Sequence, residues 1–446
     1  MGNDPTMSAP TAPTDRANRH ALLIVFLVVV IDLLGFGIVV PLLPRYAEEY
    51  IDAVFPGQAD TWVGGLIIGL LMASFSAMQF IFAPIWGRVS DRIGRRPILL
   101  VGLAGSVVFY TLFGYASALS HDTAETARFA LILLFIARIG AGIAGATIST
   151  AQAVIADCTT PEKRKHGMAL IGAAFGIGFT LGPLVGFASV WKFPDYHGAI
   201  GYTAAGLSLV ALVLGVILMP ETRNFGTAPP LDRRWIDLGA LRSTLSTPAI
   251  APIILAFFMA TLGFASFEST LALLNKDALG LEKKYNFLVF AYVGFVLLLT
   301  QGYLYRKLAK KLDEPTLMTI GICLMGLGVM LLGGVTYASF EKLAIRDILL
   351  TALLISLAIS VVGFAFLTPS AQALISRRTD PARQGEVLGV NQSASALARI
   401  IGPILGLGLY KATSTHLLPY VLGGALVLLM LPVMPLIRRH GSATGG

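Results

Sequence analysis

Residues 87–96 read Gly87-Arg88-Val89-Ser90-Asp91-Arg92-Ile93-Gly94-Arg95-Arg96 and lie between two long apolar stretches. Burying this much charge in lipid would cost too much free energy, so the block is predicted to be a tight turn at a membrane surface. The glycines allow a cramped backbone, and Asp91 is able to accept hydrogen bonds from a helix N-terminus or to pair with an arginine. A plain basic loop would need only charge, whereas this block has a defined order of Gly, Asp, Gly and paired Arg.

The composition is that of a membrane protein. Hydrophobic residues make up 55% of the 446 residues and charged residues only 13%, against about 25% charged in soluble proteins. A helix needs about 20 apolar residues to cross a bilayer, and the continuous runs exclude a transmembrane barrel, whose strands alternate in polarity. The sequence therefore predicts an all-α membrane protein. Its twelve predicted transmembrane helices lie near 21–44, 62–86, 97–117, 128–156, 167–190, 199–220, 250–274, 286–306, 315–337, 347–373, 386–410 and 416–437.

The net charge of +8 is distributed unevenly along the chain. With both termini placed in the cytoplasm, most Lys and Arg residues fall in the predicted inner loops and tails, which is the positive-inside bias of membrane proteins. The basic residues therefore indicate topology, and we expect no nucleic-acid partner. Residues 1–20, rich in Pro, Thr and Asn, are predicted to be a disordered tail, and residues 438–446 form a second tail.

A polar segment, residues 221–247, divides the chain. It separates an N-terminal half, 21–220, from a C-terminal half, 248–437, and each half contains six predicted spans. Apolar residues recur in the segment at helical spacing, so it is either a linker with a helix on the inner membrane surface or a loosely structured linker with chance periodicity. These apolar residues are Leu231, Trp235, Leu238, Leu241 and Leu245.

The two halves repeat each other. Thr159-Thr160-Pro161 leads to Gly182-Pro183-Leu184-Val185-Gly186, and Thr379-Asp380-Pro381 leads to Gly402-Pro403-Ile404-Leu405-Gly406. Similar six-helix halves are typical of transporters, whose substrate site lies at the interface of the repeats near mid-membrane. The stretch 302–311 in the C-terminal half keeps the first glycine and the basic end of the 87–96 block, but it has no acidic residue.

Glycine spacing predicts close packing of the fifth span. Gly178, Gly182 and Gly186 fall on one helix face, where small residues allow a second helix to approach closely in lipid. Pro183 lies between them and is expected to bend the helix. Ordinary close packing and a bendable interface for a rocking motion are compatible interpretations of this motif.

Several stretches resemble known transporters. The 87–96 block resembles the loop between the second and third spans of the major facilitator superfamily. Residues 32–44 and 138–157 resemble the first and fourth spans of the tetracycline-type drug/proton antiporters, and 175–186 resembles the fifth-span motif of proton-driven exporters. Those tetracycline exporters carry a functional acid in the third span, where this chain reads Val107-Val108-Phe109-Tyr110.

The resemblance implies a major facilitator fold, in which two pseudo-symmetric six-helix bundles surround a cavity lined by spans 1, 4, 7 and 10. It also implies a monomeric, multi-pass protein of the bacterial inner membrane that uses a proton gradient and needs no cofactor. The block at the inner surface is expected to gate the cavity. Its gating residues are Gly87, Asp91, Arg92, Gly94, Arg95 and Arg96.

Four charged residues lie well inside the predicted spans. They are Asp32 and Glu268 among 25 acids, and Arg138 and Arg399 among 33 bases. A charge at mid-bilayer costs about 3 kcal/mol even on lenient scales, so such residues persist where they pair or face an aqueous cavity. In the fold that the resemblance implies, Asp32 is able to meet Arg138, and Glu268 is able to meet Arg399 as the less favoured pairing, but the sequence leaves open whether either pair forms. Static buried ion pairs are the alternative to a role in transport.

Proton coupling needs a carboxyl whose protonation changes with access. Burial raises the pKa of a carboxyl, and a nearby guanidinium lowers it, so a conformational change can load or release a proton. Asp32 and Glu268 are therefore the predicted proton-coupling residues, with Arg138 and Arg399 as charge partners. Three amides, which bind either substrate or a neighbouring helix, complete the predicted cavity: Gln79, Asn391 and Gln392.

Other classes of function fit the sequence poorly. The six histidines are scattered without metal-ligand spacing, and no phosphate-binding loop ends in Gly-Lys-Ser/Thr, so neither a metal enzyme nor an ATP-driven pump is indicated. The favoured function is proton-coupled export of lipophilic or cationic small molecules. A symporter or facilitator for an organic solute or lipid is the alternative within transport, and a non-transporting membrane sensor is the alternative outside it.

Overall fold

The computed structural model describes residues 15–159, 164–223, 238–380 and 383–442. These residues form helices and connecting turns, with no strand among them, and twelve helices are long and apolar enough to cross a membrane. Lipid offers no partners to backbone polar groups, so a helix satisfies them within each span. The all-α fold with twelve spans is therefore confirmed.

The twelve spans are numbered in chain order. Three of them contain a local break: span 4 at a 3₁₀ turn, Gly145–Thr147, span 8 at a π turn, Thr300–Leu304, and span 12 near Leu431–Val433. The spans are Leu22–Val39, Trp62–Ile93, Arg95–Ala118, Ala124–Asp157, Ala173–Lys192, Ala199–Leu218, Ala251–Asp277, Lys283–Leu308, Glu314–Phe340, Arg346–Arg378, Glu386–Lys411 and Leu418–Arg438. The helices of spans 1, 5 and 11 begin earlier, at Asp15, Arg164 and Gln384.

Helices extend into both segments that the sequence predicted as tails, residues 1–20 and 438–446. The first helix begins at Asp15, so residues 15–20 are helical, whereas residues 1–14 lie outside the described residues. The last helix runs Met434–Ser442 and takes in most of the second tail. Both corrections have the same reason: a helix continues past its apolar run because each added residue gains a backbone hydrogen bond.

The polar segment between the halves contains a helix at its end, Leu238–Leu245. Three of the five periodic apolar positions fall on it, while Leu231 and Trp235 lie outside the described residues. A further helix, Leu43–Val54, follows span 1 directly after a turn at residues 40–42. It was not predicted, because its apolar residues merge with those of span 1. We call it the connector helix.

The molecule has two membrane faces. The connector face carries the connector helix, and the terminal face carries Asp15 and Ser442, the two ends of the described chain, and the turn at Gly94. The halves meet where span 2 packs on span 11 and span 5 packs on span 8. A methyl group added to Gly69 would lie 2.8 Å from the carbonyl oxygen of Pro403, so these backbones touch.

The halves separate towards the terminal face. On the span 2 side of the contact, Gly69 and Ala73 are buried, but Phe80, further along the same helix face, is 41% exposed. On span 11, Leu407 is buried and Arg399, two turns closer to the terminal face, is exposed. Because the exposure rises along the two faces that meet at Gly69, a cleft between the halves opens towards the terminal face.

The glycine motif of span 5 packs on two different helices. Gly178 and Gly182 lie against Leu33 and Gly37 of span 1, within the N-terminal half, whereas Gly186 faces Phe287 of span 8 in the other half. Pro183 lies inside the helix, between the last two glycines. The motif therefore ties span 5 to its own half and also places it at the seam between the halves.

Candidate transport site and gates

Asp32 lies in span 1 and accepts a hydrogen bond of 2.9 Å from the hydroxyl of Ser106 in span 3. It makes no ion pair with Arg138 in the part of the chain that the structure describes, so this pairing, which the sequence left open, is not formed here. The physical reason is the orientation of span 1, which turns the carboxylate towards span 3. Sequence reasoning missed Ser106, because a single serine in an apolar span carries no distinctive signal.

Arg138 is buried in span 4, at 2% exposure, with its guanidinium 4.5 Å from the ring centroid of Phe75. Its Nε and Nη1 atoms have no hydrogen-bond partner among the described residues. Cation–π contact offsets part of the desolvation cost, but an unpaired buried charge stays unfavourable. Tyr110, one turn from Ser106, packs over Gly35 and interacts electrostatically with both Asp32 and Arg138.

Glu268 in span 7 forms neither a hydrogen bond nor an ion pair with the described residues. Arg399 in span 11 acts on it only through the longer-range Coulomb interaction, and no contact within 4 Å joins them in the described structure, so the second pairing is not formed here either. Arg399 is an exposed residue on the cleft side of its helix.

The three predicted amides have different environments. Gln79 donates a 3.2 Å hydrogen bond to the carbonyl of Gly145, where span 4 is interrupted by its 3₁₀ turn. Asn391 is 1% exposed, and its Oδ1 atom has no partner among the described residues. Gln392 is exposed on the same side of span 11 as Arg399. Gln79 therefore joins helices, and Gln392 is the amide free to meet a solute.

Each half contributes a group of aromatic rings near its charged residues. Phe36 of span 1 contacts Phe75 and Phe179, with ring centroids 5.0 and 5.9 Å away. In the other half, Phe264 stacks on Phe364 at 4.2 Å, and Phe267 completes that group. Aromatic rings favour apolar and aromatic ligands, so the rings add a lipophilic character to the surroundings of the charged groups.

The connector face is closed by ion pairs between the halves. Glu48 of the connector helix lies between Lys276 and Lys411, which end spans 7 and 11, and Lys411 also contacts Asp60 at 2.6 Å. The Lys411 side chain is only 1% exposed and that of Glu48 7%. The hydrogen bond from Lys411 holds the pKa of Asp60 below its usual range. Separation of the halves at this face would have to rehydrate the whole group.

Further polar contacts attach the connector helix and the turn before it to the C-terminal half. Arg45 donates a 3.0 Å hydrogen bond to the carbonyl of Leu281, and Asn286 donates one of 2.5 Å to the carbonyl of Pro41. Burial lowers the pKa of Arg45. Between described residues, every ion pair that joins the halves lies at this face. None of these residues was predicted as part of a site.

At the terminal face the described ion pairs lie within each half, and the buried one belongs to the N-terminal half. Arg95 is buried and contacts Asp91 at 2.6 Å and Asp157 at 3.1 Å, and it donates a 2.7 Å hydrogen bond to Ser90. One arginine therefore ties the end of span 2, the start of span 3 and the end of span 4 together. Asp91 is also 4.0 Å from Arg223, beyond span 6.

The 87–96 block is more helical than predicted. Span 2 continues to Ile93, and only Gly94, at φ +112°, breaks the backbone before span 3 begins at Arg95. A side chain at Gly94 would also collide with Glu221. Asp91 does not cap the helix; Glu221 accepts hydrogen bonds of 2.9 and 3.1 Å from the backbone nitrogens of Arg95 and Arg96.

The other residues of the block have lesser contacts. Arg96 donates a 2.6 Å hydrogen bond to the carbonyl of Val216, Arg92 is exposed, and Gly87 lies near Ser149 of span 4. No group of His, Cys, Asp and Glu with the arrangement of a metal site occurs among the residues that the structure describes.

Two six-helix halves, a cleft between them and isolated charges inside the spans define a multi-pass membrane transporter. The chain belongs to the Major Facilitator Superfamily, whose family model matches residues 25–345 and 315–445. It is similar to the class C tetracycline resistance protein of Escherichia coli, with 28% identity over 94% of this chain and 97% of the relative. The class E protein of Escherichia coli is 30% identical over 90% of this chain and 89% of the relative.

A solved structure shares the fold. The crystal structure of the human organic anion transporter MFSD10 aligns with a TM-score of 0.63 at 23% identity, covering 95% of this chain and 100% of that chain. The recognised family and its transporter class are thus confirmed.

Proposed function

We propose that this chain is a proton-coupled secondary active transporter that exports lipophilic or cationic small molecules by alternating access. One observation carries the proposal: each half holds one carboxyl well inside a span, away from its ends, namely Asp32 and Glu268, and neither forms an ion pair among the described residues. A carboxyl without a fixed counter-ion is able to bind and release a proton as its surroundings change. Spans 1 and 7 are also repeat partners, so the two carboxyls belong to related helices.

The arrangement of the halves supports alternating access. The connector face is sealed by contacts between the halves, and the cleft opens at the terminal face. With both termini in the cytoplasm, as the charge distribution predicts, this conformation is open to the inside. Export then requires a second conformation in which the connector face opens. The aromatic groups around Phe36 and Phe264 support lipophilic substrates.

The relatives indicate which compounds to test first. The names of the class C and class E relatives describe tetracycline resistance, so tetracyclines belong in the first set. We further propose that the protein works as a monomer in a bacterial inner membrane, uses the proton gradient without a cofactor and catalyses no covalent reaction.

The arginines favour a second candidate, the export of organic anions. Arg399 is exposed on the cleft side of span 11, and Arg138 has two unpaired buried nitrogens. A guanidinium binds carboxylates and phosphates in bidentate geometry. The human protein MFSD10, which shares the fold, is an organic anion transporter, and this is consistent with the second candidate.

One experiment separates these candidates. Detergent-solubilised protein in weak buffer receives a tetracycline, a lipophilic cation or an organic anion, and the pH change is recorded. A competing cation should release protons, whereas an anion bound with a proton should take protons up. The double variant Asp32→Asn/Glu268→Gln, which lacks both proposed proton-binding carboxyls, serves as the control. Binding of every compound by calorimetry without any proton exchange would contradict proton coupling.

A further inference from the structure

The connector face contains a second contact between the halves, separate from the Glu48 group. His197 lies in the turn between spans 5 and 6 of the N-terminal half, and Lys283 begins span 8 of the C-terminal half. The Nε2 atom of His197 is 3.0 Å from the Nζ atom of Lys283. This contact closes the seam between spans 5 and 8 at its connector end, just as the Glu48 group closes the seam between spans 2 and 11.

The contact fixes the protonation state of the imidazole. A lysine ammonium has hydrogen-bond donors only, so the Nε2 atom of His197 accepts and carries no proton. Glu49 of the connector helix holds the other side of Lys283 at 2.8 Å. Tyr46 lies against both groups, with its ring centroid 5.0 Å from the His197 ring and 4.9 Å from the Lys283 nitrogen.

The charges around His197 come from several elements. Lys283 and His121 oppose an imidazolium, whereas Glu49 and Asp195 favour one. Burial is the largest influence and Lys283 the second, and together they hold the pKa of His197 below its usual value of 6.5. In this conformation the imidazole therefore stays neutral at a pH at which a solvated histidine would already be partly protonated.

We propose that His197 and Lys283 form a pH-sensitive latch that holds the connector face shut while the imidazole is neutral and releases it when the imidazole is protonated. A proton on Nε2 removes the only acceptor that Lys283 has in the ring and places two cations side by side. Glu49 carries one negative charge, which already offsets that of Lys283 at 2.8 Å, so a protonated ring adds a positive charge to the group. The His197 imidazolium and the Lys283 ammonium then repel each other across the seam, and separation of the halves removes this repulsion.

The direction of the pH effect follows from linkage. When the connector face opens, His197 leaves Lys283 and meets water, and its pKa returns to the usual range. The closed state thus binds the proton more weakly than the open state, so a fall in pH through that range moves the population towards the open state. The contribution of the latch to closure is complete at high pH and is lost as His197 is protonated.

The latch adds a control to the proposed transport cycle. If the connector face lies outside the cell, as the topology predicts, it meets the acidic side of an energised membrane. The connector face would then open towards the side from which protons enter when the proton concentration on that side is high. Only this physiological role rests on the proposed function; the pH-dependent opening is a property of the seam and requires no substrate.

The test measures opening of the connector face directly. Spin labels go on Phe55→Cys and Leu343→Cys, two exposed positions on this face in opposite halves, after Cys158 and Cys323 are replaced by serine. Double electron–electron resonance then records the distance distribution between about pH 8 and about pH 5.5, which brackets the ordinary imidazole pKa. In the parent protein the long-distance population should grow as the pH falls. Its ratio to the closed population should rise by up to about tenfold for each unit by which the pKa of His197 differs between the open and closed states.

The His197→Gln variant should lose this response, because a neutral amide still accepts a hydrogen bond from Lys283 but takes up no proton. The Lys283→Met variant should weaken the response and keep only the part that burial of the ring causes, since the protonated ring then has no cation beside it. His416→Gln is the matched control: its described ring contacts are with Tyr410 and Phe340 in the same half, and this variant should keep the parental response. An unchanged response in His197→Gln, or an equal loss in His416→Gln, would overturn the latch. Proton exchange on substrate addition is measured separately, so failure of the latch and failure of proton coupling are distinguishable.

Discussion

The two halves share a fold but place their buried carboxyls in different surroundings. In the N-terminal half Asp32 accepts a hydrogen bond from Ser106, and Tyr110 and the unpaired Arg138 are close by. In the C-terminal half Glu268 makes no hydrogen bond to a described residue, and the charge that acts on it belongs to Arg399 on the cleft side of span 11. The repeat therefore preserved the helices but not the surroundings of the two carboxyls. Both belong to the proposed coupling, and we expect the loss of the hydrogen-bonded Asp32 to have the larger effect.

The terminal face shows the same contrast. In the N-terminal half one arginine, Arg95, joins three spans through Asp91 and Asp157, and Glu221 caps span 3. The corresponding C-terminal stretch, 302–311, contains basic residues and no acid, and it begins inside the π turn of span 8. The ion pairs of the C-terminal half at this face, Arg377–Glu314 and Arg383–Glu386, have exposed arginines, whereas Arg95 is buried. Gating at this face is therefore expected to depend more on the N-terminal half.

The largest expected effect comes from Asp32→Asn. The amide keeps the shape and still accepts a hydrogen bond from Ser106, but it carries no exchangeable proton at neutral pH. Uphill transport driven by a pH gradient should be abolished, while folded protein remains in the membrane. Transport into proteoliposomes measures this, with Asp122→Asn in an exposed loop as the control. Uphill transport at the parental rate would remove Asp32 from the coupling mechanism.

A smaller loss is expected for Asp91→Asn. In this variant Arg95 keeps its ion pair with Asp157 and its hydrogen bond with Ser90. The Asp91 side chain is also 38% exposed, so only part of the network around Arg95 is lost. We expect the transport rate to fall about tenfold, equivalent to about 1.4 kcal/mol, with little change in substrate affinity. Accessibility labelling of both faces should show a shifted population. Asp313→Asn, which changes an exposed acid on the same face of the other half, should behave like the parent. Equal labelling patterns in the parent, Asp91→Asn and Asp313→Asn would exclude a gating role for Asp91.

Ser106→Ala tests whether the hydrogen bond distinguishes the two halves. The variant removes the hydrogen-bond donor of Asp32, so that Asp32 resembles Glu268, which has no described hydrogen bond in the parent protein. A hydrogen bond to a charged group contributes about 1.5 to 3 kcal/mol, but water in the enlarged space would replace part of it, so we expect a loss of about threefold in transport rate. The rate as a function of pH measures this. If the pH profile matched that of the parent, the environment of Asp32 would not depend on Ser106.

The smallest effect is expected for Glu268→Gln. Without a partner, its carboxylate acts through charge, so the variant should lose more transport of a cationic compound than of a matched neutral compound, by about threefold at an interaction of about 0.7 kcal/mol. Arg399 opposes this effect, because it neutralises part of the charge of Glu268. Equal losses for both compounds would mean that Glu268 supports coupling or structure and does not recognise charge.

The sequence by itself determined the twelve spans, the repeat of the halves and the four charges inside the membrane. The reason is that lipid permits few solutions: an apolar run long enough to cross it must be helical, and a charge within it is rare enough to be noticed. The same constraint does not reach outside the bilayer. The connector helix, whose pattern merges with span 1, was therefore not predicted, and the helix bounds at both termini were drawn too short.

Only the tertiary structure decided which polar groups meet. Asp32 pairs with Ser106 and not with Arg138, because the partner of a buried group depends on how each helix is rotated and at which depth it lies, and sequence spacing fixes neither. Glu48 and Lys411 are 363 residues apart and meet only because the halves close over the connector face. His197 and Lys283 meet for the same reason. Contacts of this kind form between rigid bodies after the helices exist, so the packing of the halves creates them.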